Sequence, residues 1–393
     1  MMTKSISIST GSDPGQSARV RTEFPSVSGS FSGARTGLFS ARAYGAILTV
    51  AAVLALLPAL NLILPEAHAL YVPDYTVSLL GKFLCFALAA LALDLVWGYA
   101  GILSLGHGLF FALGGYAHGM YLMRASTPTP QALPEFMVFL SWKEIPWFWS
   151  FTEYAPYAWL LALVAPGLLA FVFGYFAFRS RITGVYFSII TQALTFAAML
   201  LFFRNETGFG GNNGFTGFKT ILGFDITSAQ TRAGLYWVSL MALLGCLLLA
   251  RAITQSKLGR VLTAIRDAES RMRFLGYEPL GFKLFVWTVS AMMCGLAGAL
   301  YVTQVGIINP SEMSPENSIE MVVWVATGGR GTLVGPIIGA GTVNALKTWF
   351  TSAFPEYWLY ALGLLFVLVT VLLPQGIVGL ARKLLQRKQE RLA

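Results

Sequence analysis

Apolar residues in this chain come in long unbroken runs, not in alternation. The runs fall at about 45–65, 76–97, 101–123, 155–178, 184–203, 233–250, 284–306 and 357–373. A bilayer core needs roughly 20 apolar residues in helical form. Barrel strands would be about 10 residues long and would alternate apolar with polar. The pattern therefore predicts an all-α polytopic membrane protein. One further stretch, Ser318–Phe350, is too long for a single span and is interrupted by "GGRGT" (Gly328–Thr332).

Composition agrees: 56% of the 393 residues are hydrophobic and 11% are charged, against about 25% charged in soluble domains. The net charge of +9 reads as orientation once the basic residues are placed, since Lys and Arg near span ends mark the cytoplasmic side. With the N-terminus inside, 20 of the 27 basic residues fall inside if Ser318–Phe350 crosses twice and turns at Arg330. That predicts about ten transmembrane or partly re-entrant helices with both termini cytoplasmic, in a multi-pass membrane protein. It also removes any need for a nucleic-acid partner.

Three units follow. Residues 1–43 are rich in Ser and Gly with no apolar run, and are expected to be a disordered cytoplasmic tail. Residues 44–380 form the membrane domain, with a cytoplasmic loop at 254–283. Residues 381–393 form a basic cytoplasmic tail. The three cysteines stand singly in apolar segments, as small packing residues and not as metal ligands.

Two spans are built against helix formation. "GILSLGHGLFFALGGYAHGMYL" (Gly101–Leu122) holds six glycines, a serine and two histidines. Backbone loosened at membrane depth is tolerated only where protein or a water-filled cavity satisfies it. "VATGGRGTLVGPIIGAG" (Val325–Gly341) is its counterpart in the second half, and paired interruptions of this kind point to a solute path. Expected path residues are Ser104, Gly106, His107, Gly108, Thr191, Gln192, Gln304, Gly328 and Gly329. His107 fits two readings, a pore-lining hydrogen-bonding group or a core histidine satisfied by its neighbours. With Lys82 and Asp94 near span ends, buried charge looks scarce, which suits a neutral solute without excluding a zwitterion.

The 254–283 loop carries a helical pattern, with Val261, Leu262, Ile265, Ala268 and Met272 on one side and Gly276 as its stop. Such a helix suits anionic lipid or a groove on a soluble partner. Asp267 and Glu269 among the arginines favour the partner. On the other face, "RNETGFGGNNGFTGF" (Arg204–Phe218) and "NPSEMSPENSIE" (Asn309–Glu320) read as ordered outer loops. Asn212, Asn213, Asn309, Glu312 and Glu316 are their candidate docking residues for an outside partner.

Catalytic patterns are missing. No GxxxxGK[ST] phosphate loop occurs (Gly81-Lys82 is followed by Phe83), nor HExxH, and there are three histidines in all. The chain is expected to be no enzyme, with no catalytic residue, cofactor or metal of its own. If ATP drives it, another chain hydrolyses the ATP.

At this point a resemblance enters. "GILSLGHGLFFALGGYAHGMYL", "RSRITGVYFSIITQALTFAAMLLFFRNETGFGGNNG", "SKLGRVLTAIRDAESRMRFLGY" and "GIINPSEMSPENSIEMVVWVATGGRGTLVGPIIGA" together resemble the LivM-like permeases, membrane subunits of bacterial ATP-binding-cassette importers for branched-chain amino acids, over about residues 76–380. "FMVFLSWKEIPWFW" (Phe136–Trp149) and "FFRNETGFGGNNG" look closer to the urea-uptake branch, the UrtC-type subunits. The resemblance implies a urea importer built from this chain, a second permease, two cytoplasmic ATPases holding ATP-Mg and a periplasmic binding protein. It also implies that Gly259, Arg260, Ala264, Ile265, Arg266, Asp267 and Glu269 belong to the ATPase-coupling loop. Rival readings are an importer of branched-chain amino acids or short amides, and a stand-alone channel or secondary carrier.

Overall fold

A computed structural model describes residues 41–357 except Pro128, Pro130 and Gln131, together with 360–364, 367, 376–380 and 383–384. Almost all of the expected N-terminal tail, most of the last expected span and most of the basic C-terminal tail lie outside the described residues.

The helices are α1 (Ala41–Ile63), α2 (Asp74–Ala100), α3 (His107–Ala125), the short α4 (Glu135–Phe139), α5 (Ala155–Arg179), α6 (Val185–Phe202), α7 (Ala229–Gln255), α8 (Lys257–Phe274), α9 (Pro279–Val305), α10 (Pro315–Gly328) and α11 (Val334–Ala353). Among the described residues, α1, α2, α5, α6, α7 and α9 are long and apolar enough to cross a membrane. Each agrees with an apolar run in the sequence to within a few residues. Helix α1 begins slightly early, inside the segment expected to be a tail.

The centre of the bundle is α2 and α9, buried along most of their length. Around them pack α3, α5, α7 and the α10–α11 pair. Glycine decides how closely helices approach. A Cβ on Gly298 of α9 would lie 1.8 Å from the Phe111 carbonyl of α3, and one on Gly114 would lie 1.9 Å from the Gly295 carbonyl. Trp287 of α9 packs under Gly174 of α5 and donates to the Ala170 carbonyl at 2.9 Å. Cys85, Cys246 and Cys294 are buried and free, as packing residues should be.

The two interrupted segments take different forms. Residues 101–106 are not helical: α2 ends in left-handed Gly101 (φ 74°), and α3 starts only at His107. The expected span at 101–123 is thus a six-residue irregular entry followed by a 19-residue helix. Thr191 and Ser188 of α6 satisfy that entry's backbone. Thr191 Oγ1 accepts from the Leu105 N–H at 3.1 Å, and the Ser188 hydroxyl donates to the Leu103 carbonyl at 2.8 Å. Helices α10 and α11, by contrast, form the expected antiparallel hairpin, turning through residues 329–333 with Gly329 at φ 120°. Helix α10 has 14 residues, about 21 Å, short of a full bilayer core.

Among the described residues, the strands lie at the end of the bundle opposite α8. There β1 (Phe215–Thr216) pairs antiparallel with β4 (Ile307–Ile308), tying the segment after α6 to the segment after α9. The β2 (Thr220–Ile221)–β3 (Phe224–Asp225) hairpin turns through Leu222 and Gly223, both at positive φ.

Candidate translocation and coupling sites

Two constellations stand out, one at each end of α2. At the loop end, α2, α9, α10, α11 and the 3₁₀ turn Pro310–Met313 enclose a cavity of about 310 Å³. It brings together Lys82, Glu312, Glu320 and Lys347. Lys347 pairs with Glu320 at 2.7 Å. Glu312 accepts from the Tyr301 hydroxyl at 2.9 Å. Lys82 makes no ion pair among the described residues; its ammonium lies over the rings of Phe86 (5.4 Å) and Tyr301 (5.9 Å). Phe86 in turn packs on Trp324, with centroids 4.8 Å apart. Lys82 also lines an adjoining cavity of about 490 Å³ that reaches Gln304, Thr303 and Arg232.

This cavity corrects two expectations. Charge is not scarce inside the bundle, because residues far apart in sequence bring four charges to one place, Glu320 buried and the other three half-buried. Glu312, expected on an outer docking face, instead turns inward onto Tyr301. The rest of that docking set divides. Asn212, Asn213 and Glu316 are exposed, while Asn309 caps the 3₁₀ turn by accepting from the Ser311 N–H at 3.0 Å.

The opposite end of α2 is a junction of three elements. Asp94, fully buried, accepts from the Gly331 N–H at 2.6 Å and the Leu333 N–H at 3.2 Å. It thereby satisfies the α10–α11 turn and the start of α11, where four backbone N–H groups need partners. A few residues on, Arg266 of α8 donates to the Gly98 carbonyl at 2.6 Å. Its stem lies so close to Gly101 that a Cβ there would come within 2.6 Å of Arg266 Cγ. Arg330 stacks over Trp97 at 5.1 Å.

Helix α8 carries the expected coupling residues, with a kink the pattern did not show. Ala268 has φ −157° and ψ 69°, splitting the helix in two. Gly259, Leu262, Ile265 and Met272 are its buried residues, whereas Val261, Ala264 and Ala268 are half-buried and Arg260 is exposed. The helix starts at the Ser256 cap, whose hydroxyl accepts from the Gly259 N–H. It ends as expected near Gly276, at φ 85°. Asp267 pairs with Arg266 at 2.8 Å. Glu269 bridges Arg273 and Lys283, both at 2.7 Å, joining α8 to α9. Burial works against the Glu269 charge, but hydrogen bonds from Lys283 and Arg273 outweigh it and hold its carboxyl below the usual range. Beside this clamp a groove of about 480 Å³ opens, lined in part by Arg179, Arg181 and Tyr277.

The expected path residues fall in three places. Ser104, Gly106, His107, Gly108 and Thr191 gather around the start of α3. His107 is packed between Trp287 and Phe110, with Nε2 2.9 Å from the Ser290 hydroxyl. That hydroxyl donates onward to the Ala92 carbonyl, so Nε2 carries the proton. His107 is thus packed in the core with one ring nitrogen bonded, while its Nδ1 is buried without a hydrogen-bond partner. The Ser104 hydroxyl accepts from the Gly106 N–H at 3.0 Å. Gly108 is where the 3₁₀ turn and α10 approach α3, since a Cβ would lie 2.8 Å from Ser318 Oγ. The Gln192 amide is buried nearby without a hydrogen-bond partner. Gln304 stands apart at the loop end, over Gly81, donating to the Ser239 hydroxyl at 3.2 Å. Gly328 and Gly329 form the α10–α11 turn, where a Cβ on Gly328 would lie 1.8 Å from the Gly335 carbonyl.

Sequence reasoning did not join Lys82, Glu320, Lys347 and Tyr301 into one site. The signal available was a lysine inside an apolar run and a glutamate three residues into another. Both are costly in lipid, and hence functional by default.

Comparison with known proteins agrees with this architecture. The family described as "branched-chain amino acid transport system / permease component" matches residues 75–370. The high-affinity branched-chain amino acid transport permease LivM of Escherichia coli is 27% identical over 83% of this chain and 75% of its own length. Its Salmonella typhimurium counterpart is 25% identical over the same shares. The fructose import permease FrcC of Rhizobium meliloti is 28% identical, but over 36% of this chain and 41% of its own. No solved structure matches.

Proposed function

This chain belongs to the branched-chain amino acid transport permease family, and from that membership we propose that it is one of two permease subunits of an ATP-driven bacterial importer whose solute is urea. The observation that carries the transport reading is α8. An amphipathic, kinked helix between two spans is held on the end of α2 by Arg266, next to the turn that Asp94 fixes. A helix so placed can pass a push from a soluble partner to α2, α10 and α11 together. In this reading the α8 end faces the cytoplasm, where two ATPases dock, and the loop end faces a periplasmic binding protein. ATP binding closes the ATPases, shifts α8, and switches the cavity between the α2, α10 and α11 helices from outward- to inward-open.

What supports urea is the loop end. The two stretches that look closest to urea permeases pack on each other. The Trp149 indole donates to the Gly208 carbonyl at 3.0 Å, and Phe148 stacks on Phe209. Urea has one carbonyl acceptor and four N–H donors, a match for ammonium and carboxylate groups that sum to zero charge. The second reading, a branched-chain amino acid, is favoured by the names of the LivM relatives. It also fits the cavity's apolar wall of Leu79, Phe83, Phe86 and Met321.

The test is reconstitution of this chain with its second permease, ATPases and binding protein in liposomes, followed by uptake of labelled urea and labelled leucine. ATP-dependent urea uptake is expected. Urea flux through the purified chain alone would refute the driven-importer reading, and uptake of leucine but not urea would refute the solute.

A further inference from the structure

Resting on the permease reading, we propose that the Lys82 ammonium is the docking group for the solute's oxygen. The cavity it shares with Glu312, Glu320 and Lys347 is then a binding station for a small solute of zero net charge that carries both an acceptor oxygen and N–H donors.

The argument begins with cost. A charged side chain well inside a span is expensive and is expected to be paired or to serve a pathway. Lys82 lies eight residues into α2, about 12 Å from its end. The other three charges in the cavity are accounted for: Lys347 and Glu320 hold each other, and Glu312 holds the Tyr301 hydroxyl. Lys82 alone has neither ion pair nor hydrogen bond among the described residues. The faces of Phe86 and Tyr301 attract its charge but accept none of its three N–H donors in the ordinary sense. Lys82 lines both the 310 Å³ and the 490 Å³ cavity. A carbonyl or carboxylate oxygen placed there satisfies its donors.

The remaining groups select the rest of the solute. Glu312 and Glu320 present acceptor oxygens for N–H groups, while Phe86 and Trp324 supply a flat apolar wall. Two carboxylates against two ammoniums leave no net charge, so an ionic solute would enter uncompensated and a neutral or zwitterionic one would not. Gln304, folded over Gly81 one residue before Lys82, lines the larger of the two cavities.

The experiment uses the complete reconstituted importer carrying Lys82→Cys. Position 82 lines two cavities while Cys85, Cys246 and Cys294 are buried, so in this chain a water-soluble thiosulfonate modifies the introduced thiol, and the wild-type importer treated alike corrects for thiols on the partner subunits. Loss of a charged hydrogen-bond donor is expected to lower uptake by roughly 10–100-fold. An aminoethyl thiosulfonate, which returns an ammonium near its original place, is expected to restore uptake; a methyl thiosulfonate is not. Lys82→Arg, which keeps the charge, is expected to retain more uptake than Lys82→Cys. Wild-type uptake by Lys82→Cys, or the same result with both reagents, would overturn the proposal. Which labelled solute the wild-type complex carries decides between urea and leucine; recovery on charge restoration, measured with that solute, decides Lys82.

Discussion

Asp94 offers the sharpest test of how the two halves of the bundle are joined. Its two carboxyl oxygens accept from the Gly331 and Leu333 N–H groups at 2.6 and 3.2 Å, and the side chain is fully buried. Asp94→Leu keeps similar bulk but leaves two backbone donors without their partner, the Leu333 N–H in a buried place and the Gly331 N–H in a half-buried one. A buried orphaned donor costs about 1–3 kcal/mol and a half-buried one less, so the turn at 329–333 should lose about 2–4 kcal/mol. Every 1.4 kcal/mol is about tenfold in an equilibrium, so a mid-range loss of about 3 kcal/mol makes local opening about a hundred-fold more frequent. Asp94→Asn keeps one acceptor but turns an amide N–H toward a backbone N–H, and should fall between wild type and Asp94→Leu. Hydrogen exchange of the intact protein in detergent, read on peptides covering 329–334, measures this directly. Faster exchange is expected there while peptides from the middle of α5 stay unchanged. Unaltered exchange at 329–334 in Asp94→Leu would refute the claim that Asp94 holds the turn.

Three further outcomes follow from the same contacts. Arg266→Ala removes the bond to the Gly98 carbonyl; as Arg266 is partly exposed, about 1 kcal/mol is expected. In the reconstituted importer that predicts uptake several-fold lower while the chain still co-purifies with its partners, and unchanged uptake would remove this contact from coupling. Gly298→Ala sets a methyl group against the Phe111 carbonyl. It should cost at least about 1–3 kcal/mol through forced separation of α3 and α9, seen as a lower melting temperature in detergent. Glu269 is held below its ordinary 4.5 by Lys283 and Arg273, so the α8–α9 clamp is at full strength above about pH 4.5 and weakens as pH falls through the lower folded value. Thermal melts between pH 7 and pH 3.5 should show this loss in wild type and a flatter profile in Glu269→Gln.

The coupling helix and the transport site differ in how far local sequence exposes them. The buried face of α8 is written in residues three or four apart, so Leu262, Ile265 and Met272 could be read without knowing what they touch. Its kink at Ala268 could not, because nothing local at that residue demands it. His107 was ambiguous for the same reason. Its two flanking glycines mark a break in the helix, but only Ser290, Ala92 and Trp287, which belong to other helices, make it a packed core group.

The chain's own pattern determined the long apolar helices, the all-helical class, the two glycine interruptions and the break of Ser318–Phe350 into two helices. Each of these depends on hydrophobicity, charge or backbone freedom within about 20 consecutive residues, which is the length scale a bilayer imposes. Tertiary structure alone decided that Lys82, Tyr301, Glu312, Glu320 and Lys347 share one cavity, and that Asp94 and Arg266 join the far end of α2 to elements well over a hundred residues away. The physical reason is that the cost of a charge in the membrane is set by its partners, and those partners arrive from other helices only when the bundle has packed.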